Sequence, residues 1–318
     1  RTWTYEYLPT GLNPLQYVTP PSDTDITMSP KPRWRYQYSG DRVIQPGTWD
    51  GNTNTCSDAP PDPGNYTVTI DHPSGASGTF AFEYHRLGRS GIPTTACESS
   101  GGAVPVYKLL IPHFADNFAL QSKTLSGPGL TMMTWQYNYD FTGVGPVTLC
   151  PGSLDGPACT AQPSERWVQV TEPNQTKKRY RFGIKYRQNF GRLLGTETYA
   201  AGISGALLAS TSTTYFTGTA SPFPDTYGTL NSTNDDVHRM IRPVTSQSET
   251  RQGVTFTAST PVGQFDGFGR PLQVTRASSL GYTRTETTTY VDKTNTTGGT
   301  ANVWILGRIG TKTVSGFG

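Results

Sequence analysis

Histidine, cysteine, charge and long apolar runs are all scarce in this chain. Its four histidines (His72, His85, His113 and His238) stand far apart among 318 residues, and no His-x-x-x-His pair offers the spacing of a helical metal site. Charged residues make up 15%, and 26 basic against 23 acidic side chains leave a net charge of only +3. That balance provides no broad basic surface for nucleic acid. The one short basic run, Lys177-Lys178-Arg179, continues as Tyr180-Arg181-Phe182 and reads as the solvated face of a strand. The longest apolar runs, such as Leu109-Leu110-Ile111, are strand-sized, so no segment reads as a membrane-spanning helix. Helix signals are nearly missing too: only Ala200–Ser210 lacks strand character, and Gly202 and Gly205 make it read as a turn.

What the chain has instead is glycine (35), proline (25), tyrosine (17) and threonine throughout. A mean hydropathy of −0.49 is low, but an aromatic content of 11% excludes a disordered polar chain. Three times the sequence places rings at strict alternation: Trp3-Thr-Tyr5-Glu-Tyr7, Trp34-Arg-Tyr36-Gln-Tyr38 and Trp135-Gln-Tyr137-Asn-Tyr139. A strand puts all three rings of such a tag on one face, whereas a helix scatters them. Packed inward, each ring removes about 150–250 Å² from water, and a Trp135→Ala change in a core costs about 3–5 kcal/mol. Turned outward, the same row is a platform for sugar rings. The inward reading is preferred, because the tag recurs in widely separated strands.

Strand candidates recur every ten to twenty residues: 66–70, 79–84, 104–112, 132–139, 167–170, 180–186, 211–216, 243–249, 254–258, 272–276, 283–291 and 303–313. Turn signals such as Asp71-His-Pro-Ser-Gly75, Glu172-Pro-Asn and Asp266-Gly separate them. Many short strands without intervening helices mean an antiparallel all-β fold. Two textures divide the chain. Residues 1–165 carry long irregular loops, most prolines and all four cysteines, while residues 166–318 are more regular; the boundary is soft. Cys150 and Cys159 flank a turn-rich stretch, and Cys56 and Cys97 lie in two other loops. Of three connectivities, Cys56–Cys97 with Cys150–Cys159 is chosen, which implies an oxidising, extracellular setting. The chain opens on Arg1 and ends in Val314-Ser-Gly-Phe-Gly318; it is expected to be a segment of a longer polypeptide.

Catalytic motifs are thin. Gly202-Ile-Ser-Gly205 is not a nucleophile elbow, and Gly267-Phe-Gly-Arg-Pro lacks the third glycine of a dinucleotide loop. His113 with Asp116 is better read as a strand end than as a base and its orienter. Asp50-Gly-Asn-Thr-Asn54 starts like a calcium loop but lacks its glycine and closing glutamate, and Asn234-Asp-Asp236 reads as a solvated turn. No catalytic residue, metal or cofactor is assigned.

A second element recurs: an aromatic residue, Asp or Asn, a Gly-Arg turn, then a strand. It is fullest in Phe265-Asp266-Gly-Phe-Gly269-Arg270-Pro-Leu and repeats in Asn189-Phe-Gly-Arg-Leu-Leu after Tyr186, with a looser copy in Tyr84-His-Arg-Leu-Gly-Arg89. Asp bonds across the turn and Gly supplies the positive φ. Together with Tyr290-Val-Asp292, Trp304-Ile-Leu-Gly307 and the Trp-x-Tyr-x-Tyr strands, this order resembles the bacterial Rhs, or YD-repeat, family, best over residues 125–318. The resemblance implies a β-sheet spiralling into a hollow shell that encloses a toxic or signalling domain and is secreted. That family's self-cleavage uses paired Asp-Pro motifs; Asp62-Pro63 stands alone here, so no catalytic residue is carried over.

The expectation is a non-enzymatic structural segment of a secreted or cell-surface shell. Its partners are then the rest of its own polypeptide and, through open sheet edges, other copies; no nucleic acid and no membrane span are expected. The alternative is a carbohydrate-binding adhesin that meets a glycan or cell-surface receptor with its Trp/Tyr rows.

Overall fold

The computed structural model describes residues 2–9, 14–21, 32–41, 64–91, 114–139, 163–186, 188–201, 205–217, 223, 241–291 and 307–316. They form one sixteen-stranded antiparallel sheet in which every strand pairs with its sequence neighbours, in the order β1 to β16. The strands are β1 (Thr4–Tyr7), β2 (Leu15–Thr19), β3 (Trp34–Gly40), β4 (Asn65–Asp71), β5 (Ser77–Gly88), β6 (Phe114–Gly127), β7 (Leu130–Tyr139) and β8 (Glu165–Thr171). The meander continues through β9 (Lys177–Gly183), β10 (Leu193–Tyr199), β11 (Leu207–Tyr215), β12 (Val244–Arg251), β13 (Val254–Ser259), β14 (Gln273–Ser278), β15 (Thr283–Tyr290) and β16 (Ile309–Ser315). A single 3-10 turn, Val262–Gln264, is the one helical element among the described residues. The all-β antiparallel expectation holds. The sheet crosses residue 165 without a break, β7 pairing with β8 at Tyr137 and Val170.

Tight turns explain this order. Four hairpins close in the same way, with the N–H of the first turn residue on the carbonyl four residues on and a return bond one residue shorter: His72–Ala76, Glu172–Thr176, Asp266–Arg270 and Ser278–Tyr282. The fourth residue of each takes positive φ, and in three of the four it is glycine (Gly75, Gly269, Gly281), with Gln175 in the other. Turns of this kind permit only antiparallel neighbours.

Directly paired residues in such a ladder project to the same side, so the register carries each face across the sheet. The front face takes Tyr5, Val18 and Trp34 in one row. Tyr36, Ile70, Gly78, Leu125 and Met133 form another. Farther along, Val168, Tyr180, Thr196, Thr211, Glu249, Phe256 and Ser278 continue it. The back face carries rows of hydroxyl side chains. Thr69, Thr79, Thr124 and Thr134 form one row, and Ser246, Ser259, Thr275, Thr285 and Ser315 another. Thr69 to Thr79 and Thr124 to Thr134 hydroxyl contacts of 3.3 and 3.1 Å tie neighbouring strands together.

Neither face is covered by a second layer of described residues, unlike the usual two-layer domain. Among the described residues buried apolar side chains are few: Phe216, Phe223, Ile241 and Phe265 form one cluster, Ile184 and Tyr186 are buried beside the end of β9, and Val18 is buried within β2. The sheet also curls. Ser90, just past β5, makes a parallel bridge to Lys185 past β9, with Ser90 N–H donating to Ile184 and Tyr186 N–H donating back to Ser90. Arg166 donates to the Gly88 carbonyl and Ser90 Oγ to the Pro163 carbonyl at the same seam.

Three sequence expectations need revision. β6, the longest strand at fourteen residues, was absent from the expected set because Asp, Asn, Gln and Lys dilute its pattern and Gln121 is bulged out of register. β11 starts at Leu207, so the last part of the stretch 200–210 is strand. The strand expected at 180–186 ends at Gly183, where Asn189 folds back onto it. Cys56, Cys97, Cys150, Cys159, His113, His238, Asp62, Trp304, the stretch 104–112, the calcium-like loop at 50–54 and Asn234-Asp-Asp236 lie outside the described residues.

Candidate functional site

The tags fall on β1 (with Trp3 just before it), β3 and β7, and the register puts Tyr5, Trp34, Tyr36, Trp135 and Tyr137 on the front face. Their environments differ. Trp3, Tyr5 and Tyr7 are 50%, 54% and 58% exposed on the edge strand. Trp34, Tyr36 and Tyr38 are half-buried between exposed Arg35 and Gln37, and Trp34 meets His72 edge-on at 4.3 Å. Trp135, Tyr137 and Tyr139 are half-buried as well, with Lys123 Nζ 4.3 Å above the Trp135 ring. Burial raises the pKa of the Tyr137 and Tyr139 hydroxyls, reinforced for each by a neighbouring tyrosine.

The repeat turn is built around Asp266. One carboxylate oxygen accepts the N–H groups of Phe268 and Arg270 at 2.9 Å each; the other accepts Arg270 Nε at 2.6 Å. Phe265, 2% exposed, anchors the turn in the Phe216–Phe223–Ile241 cluster. Gly269 has φ +73°, and a Cβ there would sit 2.8 Å from Ile241 Cγ2. Arg270 then lies 4.2 Å over the Tyr290 ring, and Tyr290 donates its hydroxyl to the Pro271 carbonyl at 3.1 Å. The Asn189–Arg192 turn repeats the device: Gly191 also has φ +73°, Arg192 lies 4.6 Å over Tyr215, and the Tyr215 hydroxyl reaches the Leu193 carbonyl at 3.2 Å.

The same latch closes two of the aromatic tags. Tyr38 donates to the Leu15 carbonyl at 2.8 Å, and Tyr139 to the Leu120 carbonyl at 2.9 Å. In all four cases a tyrosine on the returning strand bonds main chain 19 to 23 residues earlier, within the preceding strand or, for Pro271, just before it. The last ring of a tag and the tyrosine after a Gly-Arg turn therefore do one job. Sequence spacing could have shown this only through the Tyr positions, since the acceptor is a backbone oxygen.

A groove of about 730 Å³ opens on the front face over β11–β15 and is lined by Glu249, Phe256, Arg276, Ser278, Tyr282 and Arg284, among others. Arg276 and Arg284 are direct cross-strand partners, a like-charge pairing that costs stability by itself. Glu286, one row along, offsets it by receiving Arg276 Nε at 3.1 Å, Arg284 Nη2 at 2.8 Å and Lys312 Nζ at 3.1 Å. The hydrogen bond from Lys312, then the charge and N–H of Arg276, hold the Glu286 pKa below its ordinary value against the opposing effect of burial. Three cations on one carboxylate leave positive charge in excess. The sequence reading missed this group, whose members come from three strands and meet only through register.

The basic run at 177–181 is consumed differently. Arg179 lies 4.9 Å over Trp167 and pairs with Glu197 at 3.6 Å, Arg181 pairs with Glu165 at 3.4 Å, and Lys178, on the other face, pairs with Glu172 at 2.6 Å. Among the described residues no three His, Cys, Asp or Glu side chains group as a metal site, and no helix is long and apolar enough to cross a membrane. Comparison with family models and with curated proteins found no match to this chain.

Proposed function

We propose that this chain is a structural wall: a segment of a secreted or cell-surface β shell of the Rhs/YD-repeat type that encloses or presents a toxin or interaction domain. The observation that carries it is the single-layer meander of sixteen strands in sequence order, latched on β3, β7, β11 and β15 through the same tyrosine-to-carbonyl bond. With so few buried apolar side chains among the described residues, such a sheet gains little as an independent globule. It serves naturally as a surface that bounds a space, and the curl joining Ser90 to Lys185 supports a wall that bends. On this reading the chain is non-enzymatic, and its partners are the rest of its polypeptide and whatever the wall encloses. Electron cryomicroscopy of the native full-length protein tests the proposal. A hollow bounded by this sheet with density inside is the expected result, and a sandwich with a second sheet packed against the front face would contradict it.

One observation favours a second reading, an adhesin that binds carbohydrate. Trp3, Tyr5 and Tyr7 form a row more than half exposed on an edge strand, the form of a platform for sugar rings. Acrylamide quenching of tryptophan fluorescence with and without glycans separates the two. Quenching of Trp3 that glycans relieve supports the adhesin; quenching indifferent to glycans supports the wall.

A further inference from the structure

We propose that the front-face groove over β11–β15 is a binding site for an acidic saccharide, with the Arg276–Arg284 pair receiving its carboxylate or sulfate group. The site is distinct from the Trp/Tyr rows and does not depend on whether the sheet is a shell wall. Arg276 and Arg284 stand side at side in the register, and both line the groove. Each guanidinium carries five N–H donors, and the contacts to Glu286 engage Nε of Arg276 and Nη2 of Arg284. Their side chains, with that of Lys312, remain about half exposed (48%, 52% and 49%) around a carboxylate that is only 9% exposed. A single buried anion thus aligns three cations without neutralising them, and a second anion entering from the groove would complete the charge balance. Planar guanidiniums in this arrangement match carboxylate and sulfate oxygens.

The rest of the lining selects the ligand class. Phe256 and Tyr282 are 52% and 57% exposed and present ring faces of the sort on which the C–H faces of sugars stack. Glu249 and Ser278 line the same groove and can bond sugar hydroxyls. Glu249, whose charge is paired with Arg251, retains carboxylate oxygens that accept sugar hydroxyls. A volume of about 730 Å³ falls within the size range of small-molecule sites.

Calorimetric titration of the whole chain with tri-galacturonate, its fully methyl-esterified form and a hexa-glutamate peptide tests the assignment. Tri-galacturonate should bind, and the ester, alike in shape but uncharged, at least tenfold more weakly. R276Q/R284Q should lose at least tenfold in affinity for the acid with little change for the ester. Because those arginines also contact Glu286, far-UV circular dichroism checks the fold of that variant. Tyr282→Ala, outside the Glu286 cluster, should independently weaken binding several-fold. Equal binding of acid and ester, tighter binding of hexa-glutamate, or no binding of tri-galacturonate at millimolar concentration would each overturn the proposal.

Discussion

Tyr290 donates its hydroxyl to the carbonyl of Pro271 at 3.1 Å while its ring carries the Arg270 guanidinium at 4.2 Å. This pair fastens the repeat turn to the strand that returns past it, and Tyr215 with Leu193 and Arg192 fastens the earlier copy. Removing one hydroxyl leaves the ring and its cation in place. Tyr290→Phe and Tyr215→Phe should each lower stability by about 1 kcal/mol, the net worth of one hydrogen bond. The two losses should add, since the latches are remote and share no partner. Urea unfolding of the single and double variants measures this; unchanged midpoints would remove the latch from the account.

The two Gly-Arg turns separate backbone strain from crowding. Gly191 and Gly269 share φ +73°, but a Cβ at Gly191 meets nothing within 4 Å, whereas at Gly269 it meets Ile241 Cγ2 at 2.8 Å. Gly191→Ala should cost about 1–2 kcal/mol, the left-handed penalty alone. Gly269→Ala should cost more, by a further 1 kcal/mol or so as the Phe265 cluster is overpacked. Equal losses in thermal unfolding would contradict the crowding argument.

The aromatic tags grade from open to half-covered. Trp3→Ala should change stability by less than about 0.5 kcal/mol, as for exposed positions generally. Trp135→Ala should cost about 1–2 kcal/mol, for partial burial and the Lys123 contact. The larger loss expected from the sequence assumes a full core, whereas Trp135 is half-buried, with no second layer over it among the described residues.

Glu286 makes stability depend on acid. Its folded-state pKa lies below the ordinary glutamate value, so its contribution is fully present above the unfolded pKa and is lost as pH falls through the folded one. E286Q should therefore be less stable than the natural chain at pH 7, with Arg276 and Arg284 left opposed. The gap should close as the pH drops below about 4, the usual range of a glutamate. A gap independent of pH would show that the carboxylate's charge is not what matters.

Much of the fold was legible because antiparallel hairpins write themselves locally. Ring alternation in Trp34–Tyr38 and Trp135–Tyr139, and the turn residues at 71–75 and 172–174, specify strands and connections within a few residues of one another. β6 was hidden, since its pairing is decided by its neighbours β5 and β7 rather than by its own mixed residues. The Asp266 turn was readable as a turn, yet its latch was not, because Tyr290 seeks a main-chain oxygen that any residue supplies. Arg276, Arg284, Glu286 and Lys312 look unrelated along the chain and become neighbours only once β14, β15 and β16 take their register.

Small-angle X-ray scattering on the monomer peak of a size-exclusion column tests the single-layer wall most directly. A compact chain of this length has a radius of gyration of about 20 Å. Sixteen strands spaced at about 4.8 Å form a sheet roughly 70 Å across before curling, so the pair-distance distribution of the wall should extend beyond the roughly 50 Å maximum dimension of a compact globule with that radius. A maximum dimension near that of a compact globule would contradict the wall.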